Sequence, residues 1–271
     1  MNTFTPPRRA AVGDHLRHWR QQRRLSQQDL ALDAGLSTRH LSCVETGKAS
    51  PSREVVLRLC ERLAVPLRER NDWLTAAGYA PMYREHRLDD PQLLAAREAV
   101  QHILNGHEPW PAVAFDRHWN LVLSNRTVAP LLTGVAPDLL EPPVNLLRVS
   151  LHPAGLAPRI ANLHQWREHL FARLQQQIQA TGDTSLARLL QELKAYPDQP
   201  PEHIQRIAGE HAGVLMPLLV HTPAGLLHLI STTTVFGSPS DITLQELALE
   251  TFFPGDAGTA QALRALAARE V

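Results

Sequence analysis

Residues 26–51, SQQDLALDAGLSTRHLSCVETGKASP, decide the fold of the amino-terminal part of this chain. Two runs of apolar and small residues at helical spacing flank a glycine, the residue best suited to the left-handed conformation that ends a helix. The pattern predicts two short helices, at 27–34 and 38–45, joined by a tight turn. The inward residues are Leu30, Ala31 and Ala34 in the first helix, Gly35 at the turn, and Leu41 and Val44 in the second helix.

Helical patterns continue on both sides of this stretch. Ser26, with Asp29 three residues later, forms a capping-box-like start for the helix at 27–34. Upstream, Leu16 and Trp19 recur at helical spacing, and two further amphipathic segments follow downstream. The sequence therefore predicts an all-α five-helix domain, with helices at 13–24, 27–34, 38–45, 54–63 and 67–77.

The outer face of the helix at 38–45 carries short or fork-shaped groups, namely Thr38, Arg39, Ser42 and Cys43. Groups of this kind reach base edges when a helix lies in the major groove of DNA. Side chains at the helix starts and in the following loop are placed to hold phosphates. The candidates for contacts with the DNA phosphates are Gln27, Gln28, Thr46 and Lys48.

Composition and charge fit a DNA-binding protein of the cytoplasm. Residues 1–86 carry 14 Lys+Arg against 9 Asp+Glu, whereas residues 87–271 carry 13 against 18, although a solvated surface gives a similar imbalance by chance. The chain has no apolar leader and no apolar run long enough to span a membrane. Its two cysteines, Cys43 and Cys60, fit a reducing compartment.

The positions of the apolar, small and turn residues in 26–51, followed by ETGK at 45–48 and Pro51-Ser52, resemble the lambda repressor/Cro (XRE) class of helix-turn-helix domains. The resemblance covers residues 10 to about 65. It implies that Thr38, Arg39 and Cys43 face bases, that Gln27 anchors a phosphate, and that Arg53 approaches the DNA backbone or the minor groove. It also implies a pair between Arg20 and Glu45, and we add Ser37, in the turn, to the candidate DNA-binding residues. The alternative is an αα-hairpin that binds no DNA.

The rest of the chain alternates between helices and short apolar strands. A helix at 91–105 fits a spacer, a dimer contact or the first element of a second domain equally well. Strands are predicted at 112–115, 119–124, 214–221, 226–236 and 247–253, and helices at 165–179, 185–195, 203–208 and 257–268. This order predicts an α+β domain with an antiparallel sheet and helices on one side.

Several short motifs, PAVAFD at 111–116, NLLR at 145–148, LHP at 151–153 and FFPG at 252–255, occur in that order after the helix-turn-helix. Together with residues 119–125 and 159–166 they resemble the MmyB-like ligand-binding domain, a PAS-like fold found behind this class of DNA-binding domain in bacterial regulators. The resemblance covers about residues 92–271. It implies a transcription regulator whose PAS-like domain holds a small apolar molecule, such as a fatty acid or a related acyl metabolite.

Seven residues are candidates for holding that molecule, with arginine as the natural fork for a carboxylate. The alternative is that the polar members fix a loop through backbone hydrogen bonds and that the aromatic rings belong to the core. The seven residues are Trp119, Arg148, His152, Arg159, Asn162, Trp166 and Phe236.

Catalytic and metal-binding motifs are missing from the sequence. His102 and His107 are five residues apart, as are His164 and His169, which does not place both imidazoles on one helix face. No H-E-x-x-H, paired C-x-x-C, P-loop or G-x-S-x-G occurs. We therefore expect no enzyme, no metal site and no cofactor.

The expected organisation is a DNA-binding domain at 1–83, a linker and connecting helix at 84–108, and a PAS-like domain at 109–271. We expect a repressor that acts as a homodimer on double-stranded DNA, at a palindromic operator with half-sites about 34 Å apart. The alternative is a regulator whose carboxy-terminal domain is a protein-interaction or dimerisation module without a metabolite.

Overall fold

A computed structural model of the chain describes residues 11–197, 216–237, 239 and 241–268. Its contacts divide it into two compact units: Met1–His86 with Ser238–Gln245, called the helical unit, and Arg87–Gly237 with Glu246–Val271, called the sheet unit. The helices are α1 Val12–Gln22, α2 Gln27–Asp33, α3 Thr38–Glu45, α4 Arg53–Arg62, α5 Leu67–Ala76, α6 Leu94–Gly106, α7 Pro137–Leu140, α8 Leu146–Leu151, α9 Leu163–Thr181, α10 Thr184–Lys194, α11 Ile242–Gln245 and α12 Ala257–Ala267. The strands are β1 Ala112–Phe115, β2 Leu121–Ser124, β3 Leu218–Thr222, β4 Gly225–Val235 and β5 Ala248–Pro254.

The first five helices confirm the predicted five-helix domain, and their ends follow the predicted caps. The Ser26 hydroxyl accepts a hydrogen bond from the backbone N–H of Asp29 at 3.1 Å, and the Asp29 carboxylate accepts one from the backbone N–H of Ser26 at 3.2 Å. This reciprocal pair is the capping box expected at the start of α2. Gly35 has φ +62°, the left-handed value expected at the turn before α3.

The core of the helical unit forms where α1, α2, α3 and α4 meet. Leu16, Leu30 and Leu41 are completely buried there, with Trp73 of α5 closing one side. Helix α1 lies so close to the end of α3 that a Cβ on Gly13 would stand 2.6 Å from the carbonyl oxygen of Glu45. Glycine at this position therefore permits the approach of the two helices.

A short segment from the far end of the sequence also belongs to the helical unit. The side-chain oxygen of Gln245, at the end of α11, accepts a hydrogen bond of 2.7 Å from the backbone N–H at the start of α5. Just before α11, the Asp241 carboxylate lies 2.7 Å from Nδ1 of His86, and the N–H of Ile242 donates to the carbonyl of Arg84 at 2.9 Å. The sequence contained no signal for this insertion, because it lies between two strands of the sheet unit.

The sheet unit is built on five antiparallel strands in the order β2-β1-β5-β4-β3. The first and last segments of the domain meet in the middle of the sheet, where Val113 of β1 lies opposite Glu250 of β5. On the other side of β5, Thr232 of β4 pairs with Thr251. The predicted α+β architecture with an antiparallel sheet is confirmed.

Helices cover both faces of this sheet, so the prediction of helices on one side was wrong. Val113 and Phe115 of β1 face a large core shared with α9, α10 and α12, while Ala112 and Ala114 face a smaller core shared with α6. All four residues of β1 are therefore buried, and strict alternation of apolar and polar residues is lost. The helix at 91–105, whose place the sequence left open, thus packs on β1 as part of the sheet unit.

Other differences from the sequence prediction are local. Helix α8 was not predicted, because its six residues are too few to show a helical period. Helix α9 begins and ends two residues beyond the predicted 165–179. The predicted helix at 203–208 and the first two residues of the predicted strand at 214–221 lie outside the described residues.

Candidate functional site

Helix α3 presents a polar outer face above an apolar inner one. Leu41 and Val44 are buried, whereas Thr38 and Arg39 in its first turn are exposed. Ser42 and Cys43, one turn later, are partly exposed. The two residues at the start of α3 are therefore the most exposed of these four, which suits a helix that enters a groove with its amino-terminal end.

Two of the predicted DNA-binding hydroxyls also hold the ends of α3. Ser37 is the N-cap, and its Oγ accepts a hydrogen bond from the backbone N–H of His40 at 3.1 Å. The hydroxyl of Thr46 donates to the carbonyl of Ser42 at 2.7 Å at the other end of the helix. The exposed members of the predicted set around them are Gln28, Lys48 and Arg53.

Glu45 lies on the inner side of α3 and is 3% exposed. Its two carboxylate oxygens accept hydrogen bonds from Arg20, from Nη2 at 2.6 Å and from Nε at 3.2 Å, which confirms the expected pair. Arg17 adds a longer contact of 3.5 Å. Burial alone would raise the pKa of Glu45, but the hydrogen bonds from Arg20 and Gln27 and the charges of both arginines outweigh it and lower the pKa.

Gln27, the first residue of α2, is also bonded to this buried network. Its side-chain amide donates to Glu45 at 2.7 Å, and the residue is half-buried. An amide has two N–H donors, so the second remains suited to a phosphate oxygen. Gln27 is therefore held in place by Glu45 at the amino-terminal end of α2, where its predicted phosphate contact would form.

The two cysteines differ in exposure. Cys43 is partly exposed on the outer half of α3, and Cys60 is completely buried in the core of the helical unit. Burial raises the pKa of the Cys60 thiol to about 12. The thiolate is the reactive form of cysteine, so Cys60 acts as an apolar core residue.

The sheet unit contains an apolar cavity between the sheet and the helices α8 and α9. Its volume is about 120 Å³. The walls are almost entirely aliphatic and aromatic, as in pockets for small apolar ligands. The described lining residues are Pro111, Val113, Trp119, Val128, Leu131, Leu132, Leu146, Leu147, Val149, Ser150, Leu156, Trp166, Leu170, Leu218, Val220, Leu229, Glu250 and Phe252.

Of the seven predicted ligand-binding residues, the structure brings two, Trp119 and Trp166, to this cavity. The indole N–H of Trp119 donates to Gln177 at 2.8 Å, and that of Trp166 donates to the hydroxyl of Ser150 at 2.9 Å. Both polar groups are thus satisfied by the protein, and the rings present carbon surface to the cavity.

Three of the polar candidates lie outside the cavity lining and bond within the protein. Arg148 forms a two-pronged ion pair with Glu192, at 2.7 and 2.8 Å, which raises the pKa of the guanidinium. Arg159 donates to the carbonyls of His221, Thr133 and Leu131. The ring of His152 accepts from the backbone N–H of Ala154 at 3.0 Å.

Asn162 and Phe236 also lie outside the described cavity wall. Asn162 donates to the carbonyl of Pro217 at 2.8 Å and accepts from the N–H of Leu219 at 3.1 Å, which ties the edge strand β3 to the start of α9. Phe236 packs in the small core on the opposite face of the sheet. For Asn162 and Arg159 the bonding is the loop-fixing arrangement that the sequence left as an alternative.

Among the described lining residues that the sequence did not nominate, Glu250 is the charged one. It lies in the middle of β5 on the same face as Phe252, in a strand whose other residues on that face are apolar or small. A charged residue at a core-facing strand position is unusual, because burial of a charge is costly unless it is paired. Glu250 interrupts the apolar residues on the core-facing side of β5, and this interruption is the signal in the sequence that could have identified it.

Comparison with protein families gives two matches. Residues 96–266 match the model described as MmyB-like transcription regulator ligand binding domain, and residues 11–73 match the model described as helix-turn-helix domain. A search of curated proteins found no match. Across residues 11–197, 216–237 and 241–268, every helix is too short or too polar to cross a lipid bilayer.

Proposed function

The chain belongs to the MmyB-like transcription regulators, and from that membership we propose a repressor whose binding to a palindromic operator is controlled by a small apolar ligand. The observation that carries the proposal is the pairing of two features in one chain. The helical unit exposes Arg39 at the first turn of α3, and the sheet unit encloses an apolar cavity.

Arg39 is the residue assigned to base recognition. It is exposed, and its guanidinium is a planar fork that matches the O6 and N7 acceptors of guanine in the major groove. Arg17 and Arg20, by contrast, turn toward the buried Glu45 and stabilise the domain. Thr38 assists Arg39 at the bases, while Gln27, Gln28, Lys48 and Arg53 hold the phosphates.

The ligand of the sheet unit is proposed to be a fatty acid or a related acyl metabolite. The aliphatic and aromatic walls of the cavity support an alkyl chain. An interaction module without a metabolite does not need an apolar cavity in this domain, and unfilled apolar space costs stability. The cavity therefore favours a ligand over that alternative.

The chain itself connects the cavity to the helical unit. Leu229 of β4 and Glu250 of β5 line the cavity, and the segment between these two strands includes residues 241–245, which belong to the helical unit. A ligand that shifts β4 against β5 would act on this segment and on its bond from Leu67 to Gln245. Such a ligand controls DNA binding only if its affinity differs between the two arrangements.

We place the regulator on DNA as a homodimer. One recognition helix reads only a few base pairs, so two helices on half-sites about 34 Å apart, one helical turn, give the affinity and specificity that a repressor needs.

The test of DNA recognition compares substitutions of Arg39 and Gln27 in the full-length chain. The operator is first selected from a random duplex library with the wild-type protein. Arg39→Ala is expected to weaken binding to that operator by about 1 to 3 kcal/mol and to relax preference at one base position. Gln27→Ala is expected to weaken binding to all duplexes alike, because a phosphate contact carries no sequence information.

The matched control is Arg188→Ala, which removes an exposed arginine from α10 of the sheet unit. It should bind the operator like the wild type. Unchanged affinity and unchanged base preference in Arg39→Ala would refute the assignment of Arg39.

A further inference from the structure

Glu250 is the one charged side chain among the described residues that line the apolar cavity. It is 5% exposed and extends from the centre of β5, opposite Val113 and two residues before Phe252, both of which line the cavity as well. A buried carboxylate in an apolar wall is costly, so its presence needs a partner or a purpose.

One partner is present, and it leaves the carboxylate incompletely bonded. Nη1 of Arg173 lies 3.2 Å from one oxygen and 3.3 Å from the other oxygen of Glu250. A carboxylate offers about four acceptor positions, and among the described residues Arg173 is the only side-chain donor to this one. Glu250, which forms part of the cavity wall, can therefore accept further hydrogen bonds.

Arg173 makes two further contacts, one of them with the lining residue Trp119. Nη2 donates to the hydroxyl of Thr233 at 3.1 Å, and the guanidinium lies 4.7 Å from the centre of the Trp119 ring. The ion pair with Glu250 balances its charge, and Arg173 is not among the lining residues. A ligand in the cavity thus meets the acidic member of the pair.

The described cavity wall contains no cation that could pair with the carboxylate of a ligand. Lysine, arginine and histidine are missing from the described lining residues. Arg148, which the sequence nominated for this role, is bonded to Glu192 through two nitrogens, and Arg159 is bonded to three backbone carbonyls. A carboxylate in the cavity would therefore lose its hydration and face Glu250, a like charge.

We propose that Glu250 selects the polar end of the ligand, so that the cavity takes an alkyl or acyl chain with a neutral, hydrogen-bond-donating head, such as a hydroxyl, and discriminates against the free carboxylate. The inference rests on the proposed ligand-binding function and narrows the ligand from fatty acids and acyl metabolites to chains with an uncharged head. A hydroxyl donates to the unused acceptor positions of Glu250, while the chain contacts the aliphatic walls. The bond has a charged acceptor, which makes it stronger than a neutral one.

The test uses three probes with the same ten-carbon chain and the full-length protein at pH 7.5. The probes are 1-decanol, a neutral donor; methyl decanoate, which is neutral but has no donor; and sodium decanoate, an anion. Binding is followed by the fluorescence of Trp119 and Trp166, which line the cavity, and by the shift of the melting temperature. We expect 1-decanol to bind at least tenfold more tightly than decanoate, with methyl decanoate between them.

The substitution Glu250→Gln tests the residue. Because Arg173 then keeps an unbalanced positive charge, decanoate should bind more tightly and the preference for 1-decanol should fall at least tenfold. In the double variant Glu250→Gln with Arg173→Gln both charges are gone, and the gain for decanoate should disappear. Far-ultraviolet circular dichroism establishes that each variant is folded, and the comparison in the wild type needs no variant.

The outcomes distinguish the role assigned to Glu250 from the ligand-binding function on which that role rests. If decanoate binds the wild type as tightly as 1-decanol, or if methyl decanoate equals 1-decanol, the assignment to Glu250 is overturned while ligand binding stands. If Glu250→Gln folds and leaves the preference unchanged, the assignment is overturned as well. If none of the probes binds, the proposed ligand function fails and takes the assignment with it.

Discussion

Two buried carboxylates, Glu45 in the helical unit and Glu250 in the sheet unit, have nearly the same exposure, 3% and 5%, and very different surroundings. Glu45 is surrounded by donors: Arg20 with two nitrogens, Gln27 with its amide, and Arg17 at a longer distance. Among the described residues, Glu250 accepts from one arginine, through one nitrogen, and it lies beside an apolar cavity.

The difference teaches that burial alone does not identify the role of a charged residue. A carboxylate whose acceptor positions are filled by its own domain has nothing left for another molecule, and its role is to hold helices together. A carboxylate with vacant acceptor positions beside a cavity is available to a ligand. Counting donors therefore separates the structural glutamate from the candidate binding glutamate.

The largest effect on stability should come from breaking the better-bonded pair. Glu45→Gln leaves Arg20, whose side chain is 14% exposed, without its counter-charge, and we expect a loss of about 3 to 5 kcal/mol in the free energy of unfolding. Glu250→Gln should cost less, about 1 to 3 kcal/mol, because it removes one stretched interaction. Urea unfolding at pH 7 measures both.

Glu54→Gln provides the control for that comparison. Its pair with Arg58 has the same chemistry, but the Glu54 side chain is 80% exposed, so the change should stay within about 1 kcal/mol. If Glu250→Gln proves as costly as Glu45→Gln, the comparison of the two sites by their donors breaks down.

An acid titration should sharpen the same contrast with a smaller effect. The folded-state pKa of Glu45 lies below its ordinary value of 4.5, despite a burial penalty that would raise it, because of the bonds from Arg20 and Gln27. Its contribution to stability is therefore fully present above the unfolded pKa and is lost as the pH falls through the lowered folded pKa. Urea midpoints of the helical unit's transition should decrease on acidification below about pH 5.

The control for the titration is Glu45→Gln, which carries no titrating group at that position. Its decrease in stability over the same pH range should be smaller than that of the wild type. Parallel curves for the two proteins would show that Glu45 does not contribute through its charge.

The smallest effect concerns Ser37, next in sequence to the residues proposed to read bases. Its hydroxyl caps α3 through the N–H of His40. Ser37→Ala should therefore cost about 1 kcal/mol in unfolding free energy, and Ser37→Gly only a few tenths. Thermal unfolding of the two variants measures the difference. Equal melting temperatures would mean that the Ser37 cap does not stabilise the start of α3.

The helical unit was predictable almost residue by residue because its signals are local. The capping box of Ser26 and Asp29, the left-handed Gly35 and the spacing of Leu41 and Val44 each act within a few residues, so they can be read along the chain. The Arg20–Glu45 pair joins residues far apart and was predicted only through resemblance to a known family.

The sequence predicted the fold class of the sheet unit, but it did not predict which polar residues are available to a ligand. Four apolar residues in a row predicted β1, yet they did not show that α6 covers its second face. Arg148 and Arg159 had the right chemistry for a carboxylate, but the sequence did not show that Glu192 and three carbonyls already occupy them. A side chain's availability depends on neighbours that folding brings together.

The sequence by itself determined the five helices around residues 26–51, the alternation of strands and helices after residue 84, and the family to which both belong. These features follow from spacing, caps and turns, which act over a few residues. Three features depend on the packed structure: residues 241–245 join the helical unit, Trp119 and Trp166 line one cavity, and Glu250 accepts from Arg173 alone among the described side chains. The physical reason is that hydrogen-bond capacity and burial are properties of the packed neighbourhood, which the order of residues does not show.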